Sequence, residues 1–225
     1  MQRLICAVFA AVLVATSPTR AVVLFNNFGP NDSYLGNTGW TVSNGVDLMV
    51  HLEQAARFTV SGGDHFLTSV ELAMGHLFGP NVLHVTLHSE SAGGPGAVLQ
   101  TVTVLNQILP LPTEPQVNNP PIVANFGSST VLANGGAYWI SLSSDTVEPN
   151  SWLVWNYNIT GDMGTRAHRT DGGPWQVFSG QDPRGTFRIN GTPVPEPTGA
   201  LAFVLAGALT LVARRAPSLV GTRRA

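Results

Sequence analysis

The chain has 225 residues, enough for one domain with a substantial core. Only 11% of the residues are charged, lysine is absent, and all eleven cations are arginines. Six of these lie near the ends, so residues 22–194 hold five arginines against twelve acids, a net of −7, which argues against a nucleic-acid partner.

Residues 1–21 have the layout of a secretory signal peptide. Arg3 supplies a positive start, residues 4–15 form an apolar stretch too short for an ordinary membrane span, and Ser17-Pro18 breaks the helix. Ala21 is the small residue expected before the signal peptidase cut, leaving Val22 first. Cys6 is the only cysteine and would leave with this peptide. The mature chain then enters a disulfide-permissive compartment without disulfides, and its stability must come from core burial.

Residues 22–192 lack helical periodicity and read as short alternating runs. Strands are expected at 22–25, 40–43, 56–60, 66–74, 82–88, 98–105, 138–142, 152–157 and 186–189. Turn formers separate them, as in Ser61-Gly62-Gly63-Asp64, Gly93-Gly94-Pro95-Gly96 and Asn134-Gly135-Gly136. The pattern predicts an all-β domain, an antiparallel β-sandwich of jelly-roll-like form. Residues 109–121 contain five prolines and read as a surface loop, because proline donates nothing to a strand ladder.

Several residue sets have the composition of sites. His84 and His88 match an H-x-x-x-H zinc pair, but on an alternating strand they lie about 13 Å apart, whereas zinc ligands sit about 2 Å from the metal. They are read as polar positions on a solvated face opposite Leu83, Val85 and Leu87, and no metal or cofactor is expected. Ser61, Asp64 and His65 supply the residue types of a hydrolytic triad, yet within a Gly-rich turn and without a G-x-S-x-G elbow they read as turn residues. The scattered acids leave a glycosidase pair open. Asn31, Asn158 and Asn190 begin Asn-x-Ser/Thr sequons. Aromatic residues crowd the second half, and Trp155 and Trp175 are candidates for stacking on sugar rings, with core filling the alternative.

The C-terminal segment has three parts in order. Pro195-Glu196-Pro197 lies in a linker over 193–199, an apolar helix is expected over 200–215, and Arg214-Arg215 form a basic stop before a cytoplasmic tail at 216–225. The apolar residues 200–213 rise only about 21 Å against a bilayer core of about 30 Å, a deficit that snorkelling arginines can accommodate. This order resembles the PEP-CTERM sorting signal, which implies recognition by a membrane-bound exosortase and processing near the motif. The ten-residue extension after Arg215 departs from the usual form of that signal. The segments NNFGPNDSYLGNTGWTVS (26–43), FTVSGGDHFLTSVELAMG (58–75), LHSESAGGPGAVLQTVTV (87–104), WNYNITGDMG (155–164) and RGTFRINGTPVPEP (184–197) resemble the choice-of-anchor R domain. That resemblance implies a β-sandwich displayed at the cell surface and carries over no catalytic residue.

The expectation is an exported, membrane-anchored precursor whose mature form sits at the cell surface or in the extracellular matrix. Its role is structural or adhesive rather than enzymatic, in association with exopolysaccharide. A carbohydrate-binding module and a secreted polysaccharide hydrolase are the alternatives.

Overall fold

The computed structural model describes residues 20–45, 50–144, 150–180 and 182–195. The helices expected at 4–15 and 200–215 lie outside the described residues. Among those residues the only helical element is a 3-10 turn at Pro30–Asp32, and no helix is long and apolar enough to cross a membrane.

The chain is all-β and its sheets are antiparallel. The strands are β1 (Val22–Asn26), β2 (Gly39–Asn44), β3 (Leu52–Thr59), β4 (His65–Leu72), β5 (Met74–Phe78), β6 (Val82–Ser91) and β7 (Gly94–Leu105). There follow β8 (Ile122–Asn125), β9 (Val131–Leu132), β10 (Ala137–Ser144), β11 (Ser151–Asn156), β12 (Arg166–Thr170), β13 (Gln176–Phe178) and β14 (Phe187–Pro193). A five-stranded sheet has the order β1-β14-β4-β8, with β9 paired to β4. A nine-stranded sheet runs β5-β11-β2-β3-β10-β6-β7, with the β12–β13 hairpin added along β3.

Alternation explains how the two sheets share a core. Leu67, Val70 and Leu72 of β4 and Phe187 and Ile189 of β14 point inward from the smaller sheet. Facing them are Val42 of β2, Leu83, Val85 and Leu87 of β6, Ile140 and Leu142 of β10, and Leu153 and Trp155 of β11. Burial of these side chains is the main stabilising force, at about 1.5–3 kcal/mol for each large one. A smaller cluster of Ala55, Trp139 and Ala167, with Trp175 packed on it, covers the opposite face of the large sheet.

The expected strands are present, with three corrections. The run 66–74 is two strands rather than one. At Ala73 the chain passes from the small sheet to the large one, its N–H bonding to Thr186 O and its carbonyl receiving Asn156 N–H. The turn expected at Gly93-Gly94-Pro95-Gly96 is tighter: Ala92 and Gly93 have positive φ (50° and 81°), as a two-residue hairpin requires, and Gly94 already belongs to β7. Strands β8, β9, β12 and β13 were not expected. The proline-rich 109–121 is a loop as anticipated, and it lies along β5, where His76 N–H bonds to Leu109 O and Leu111 N–H to His76 O.

Close packing at one glycine sets a sharp requirement. A Cβ on Gly185 would stand 2.3 Å from Cδ2 of the Trp155 indole, which lies flat on that stretch of backbone. Gly185→Ala is expected to destabilise the domain by about 1–3 kcal/mol, and Trp155→Ala by about 3–5 kcal/mol, measured by denaturant unfolding. Wild-type stability in Gly185→Ala would contradict this packing.

Candidate functional site

Residues flanking the two expected processing points are neighbours. In the β1–β14 ladder Val22 pairs with Gly191 and Val23 with Asn190, so the start of the first strand lies beside the end of the last. Ala21 is exposed immediately before β1, and Pro195 is exposed two residues after β14 ends at Pro193. Glu196, Pro197, Arg214 and Arg215 lie outside the described residues.

The start of β14 is anchored by a polar network sequence reasoning did not find. Asn27, just after β1, accepts the Phe187 N–H at 2.7 Å and donates to Asp162 Oδ2 at 3.0 Å and to Gly185 O at 3.1 Å. Asp162 Oδ2 also accepts Arg184 Nε at 2.9 Å and pairs with its Nη2, while Arg184 Nη1 donates to Arg57 O. The Arg184 guanidinium lies 4.8 Å from the centre of the Phe25 ring. Asn158 completes the group by donating to Asp162 O and Arg184 O. Its buried amide is occupied on both sides, so this sequon is not an acceptor in the folded chain.

The same chemistry recurs at every arginine of residues 22–194. Arg57 pairs with Glu90, Arg166 with Asp182, Arg169 with Glu53, and Arg188 with Asp32 and Glu71. Four of the five also stack on aromatic rings: Arg166 on Trp40 and Phe178, Arg169 on Trp175, Arg184 on Phe25 and Phe187, Arg188 on Phe28. Six of the twelve acids are thereby committed to arginines. Asp64 and Asp171 instead hold loops, accepting the N–H of Asn134 and of His51.

The candidate stacking tryptophans fare differently. Trp155 is only 1% exposed, its Nε1 donating to Thr186 O at 2.9 Å and its ring meeting Phe187, so it is a core residue and not a sugar platform. The reason is register: Trp155 shares the inward side of β11 with Leu153. Trp175 is half-buried on the outer face of the large sheet, with the Arg169 guanidinium 4.5 Å from its ring centre and His88 edge-on at 6.1 Å. The two residues are not brought together.

His88 corrects the solvated-face reading. It is 3% exposed, because Trp175 folds over it. Its Nδ1–H donates to Gly96 O at 3.2 Å, so Nε2 accepts the Ser141 hydroxyl at 2.8 Å and the ring is satisfied when neutral. His84 remains at the surface, 3.0 Å from Thr103 Oγ1. The turn residues near Asp64 do not assemble a triad either, for His65 Nδ1 donates to Gly63 O at 2.9 Å. Among the described residues no group of three potential ligands could hold a metal ion.

Compared with known protein families and curated proteins, the chain matches no family model and no curated protein.

Two outcomes follow. Asp162→Ala leaves Arg184 buried without its partner and is expected to cost about 3–5 kcal/mol in unfolding free energy. A loss below 1 kcal/mol, on the scale of exposed pairs, would show that the network carries little. Separately, burial lowers the pKa of His88, opposed by the Gly96 carbonyl and Glu53 and reinforced by Arg169. Burial and Arg166 lower that of His168 in the same direction. The unfolded chain then takes up protons that the folded one refuses, so stability is full above the ordinary histidine value and falls as pH drops through it. Melting temperature should decline between roughly pH 7 and 5, and the decline should be smaller in His88→Gln.

Proposed function

We propose that this chain is an exported surface or extracellular-matrix protein, sorted by an exosortase-type enzyme through its PEP-CTERM-like tail and serving a structural or adhesive role. In this reading a signal peptide is removed after Ala21 by signal peptidase, and a membrane helix at 200–215 holds the precursor at the bilayer. The sandwich, wound in jelly-roll-like fashion, is the displayed body, and exopolysaccharide is its companion in the matrix.

The observation that carries the reading is the β1–β14 ladder. Val22, the residue after the expected signal-peptide cut, pairs with Gly191 near the end of the last strand. In this reading both ends of the displayed body are closed into one ladder, so the flanking segments can be processed without unfolding it. Proline at 195 and 197 fixes φ and keeps Glu196 out of any following helix, which favours the extended conformation that a processing enzyme binds. Moving Arg214 and Arg215 through the bilayer centre costs about 2.5–3.5 kcal/mol each, enough to stop the tail during recognition.

A non-catalytic role is supported by the commitments of the polar side chains. Asp32, Glu53, Glu71, Glu90, Asp162 and Asp182 are held in ion pairs, leaving none of these six as the free acid a glycosidase requires. With Trp155 in the core, the carbohydrate-binding alternative rests on Trp175.

Expression in an exosortase-containing host tests the proposal. Surface protein should begin at Val22 and end near residue 197 by intact mass, whereas Glu196→Ala should be exported yet retain its full tail in the membrane fraction. A mature wild-type chain that still ends at Ala225 would overturn the sorting claim.

A further inference from the structure

The sequons at Asn31, Asn158 and Asn190 share one motif but stand in three different surroundings. Asn158 is buried, and its side-chain nitrogen donates to Asp162 O at 2.9 Å and to Arg184 O at 2.8 Å. Asn190 is half-buried in β14, between β1 and β4. Its nitrogen donates to Ser69 Oγ at 3.2 Å and to Glu71 Oε1 at 2.7 Å. Asn31 is exposed, and its side-chain amide makes no hydrogen bond among the described residues. The hydroxyl of Ser33, which completes that sequon, makes none either.

The fold holds the Asn31 turn rigidly at the surface. Gly29 N–H donates to Ser33 O at 2.9 Å and Ser33 N–H to Pro30 O at 3.2 Å, which closes the turn. Phe28 and Tyr34, on either side of it, are buried with their ring centres 6.2 Å apart. Asp32, the middle residue of the sequon, pairs with Arg188 of β14. Asn31 and Asp32 have φ of 54° and 58°, a left-handed backbone that asparagine and aspartate tolerate. A substituent on the Asn31 nitrogen leaves that backbone unchanged and displaces no hydrogen bond. At Asn158 the same substituent would break the contacts to Asp162 and Arg184, and at Asn190 those that tie β14 to β4.

We propose that Asn31 is the N-glycosylation acceptor of the folded domain, taking an oligosaccharide from a lipid-diphosphate donor through a transferase. The Asn31 Nδ2 bonds to C1 of the first sugar as the C1–O bond to the diphosphate breaks. One Nδ2 proton is lost, and the lipid diphosphate leaves. Such a glycan is bulky and solubilising and belongs on a surface turn. The proposal rests on the export reading for its setting, since acceptor and membrane-bound donor must meet after translocation. It assigns one acceptor among three identical motifs, because the other two amides are already committed to the fold.

The purified full-length chain in detergent, incubated with an oligosaccharyltransferase and its lipid-linked oligosaccharide, tests this by glycopeptide mapping. Synthetic peptides spanning each sequon supply the unfolded reference. Asn31 of the folded chain should be modified at about the rate of its peptide. Asn158 and Asn190 should lag theirs by roughly tenfold or more, since each needs local opening of the sheet or its loops. Asn31→Gln and Ser33→Ala should each abolish the main product with an unaltered circular dichroism spectrum, and Ser33→Thr should keep it. A folded chain left bare at Asn31, an Asn31 peptide that is refused, or folded Asn158 or Asn190 modified at the peptide rate would each overturn the proposal. The assay bypasses export, so its failure is separate from that of the sorting reading, which the mature termini report.

Discussion

Antiparallel pairing of the first strand with the last, β1 with β14, is the constraint on which the rest of the sandwich depends. β14 lies between β1 and β4, so the small sheet is completed only when the two ends of the domain meet. That meeting stacks Phe25 on Phe187 with ring centres 4.5 Å apart and brings Asn27 to the Phe187 N–H. It also positions Gly185 under the Trp155 indole, which locks β11 of the large sheet to the segment entering β14. A contact between residues more than 160 apart in sequence thus holds both sheets in register. Closing so long a loop is entropically costly, and the core and the Asn27–Asp162–Arg184 group offset that cost.

The arginine pairings follow from the composition. With no lysine and few charges, each cation of the body has a guanidinium's flat face and forked donors. A flat cation can lie on an aromatic ring while its edge meets a carboxylate, and Arg166, Arg169, Arg184 and Arg188 do both. Lysine's compact ammonium would satisfy only one of these demands. The buried and half-buried pairs thereby become part of the packing, in a body whose described strands contain no disulfide.

Much of this was legible in the sequence, and for identifiable reasons. Period-two alternation located β2, β6, β7, β10 and β11, and the five prolines marked the 109–121 loop. Alternation also placed Leu153 and Trp155 on one side of β11, though it did not say which side faced the core. Strands β12 and β13 escaped because Arg166, His168 and Arg169 look like a solvated loop, whereas they form a hairpin laid along β3. His88 was misread for the same reason, because the cover over it comes from Trp175, 87 residues later. The Asn27–Asp162–Arg184 group has no local signal at all, as its members are joined only by tertiary contact. The split at Ala73 was invisible because an alternating run looks the same whether it stays in one sheet or crosses to another.

The central claim is that the two ends of the domain are zipped together in β1 and β14, and hydrogen exchange followed by mass spectrometry tests it most directly. The amides of β1 should exchange as slowly as those of β10 in the middle of the large sheet, since both belong to one cooperative unit. Exchange of β1 at the rate of an unfolded peptide, with β10 still protected, would contradict the account.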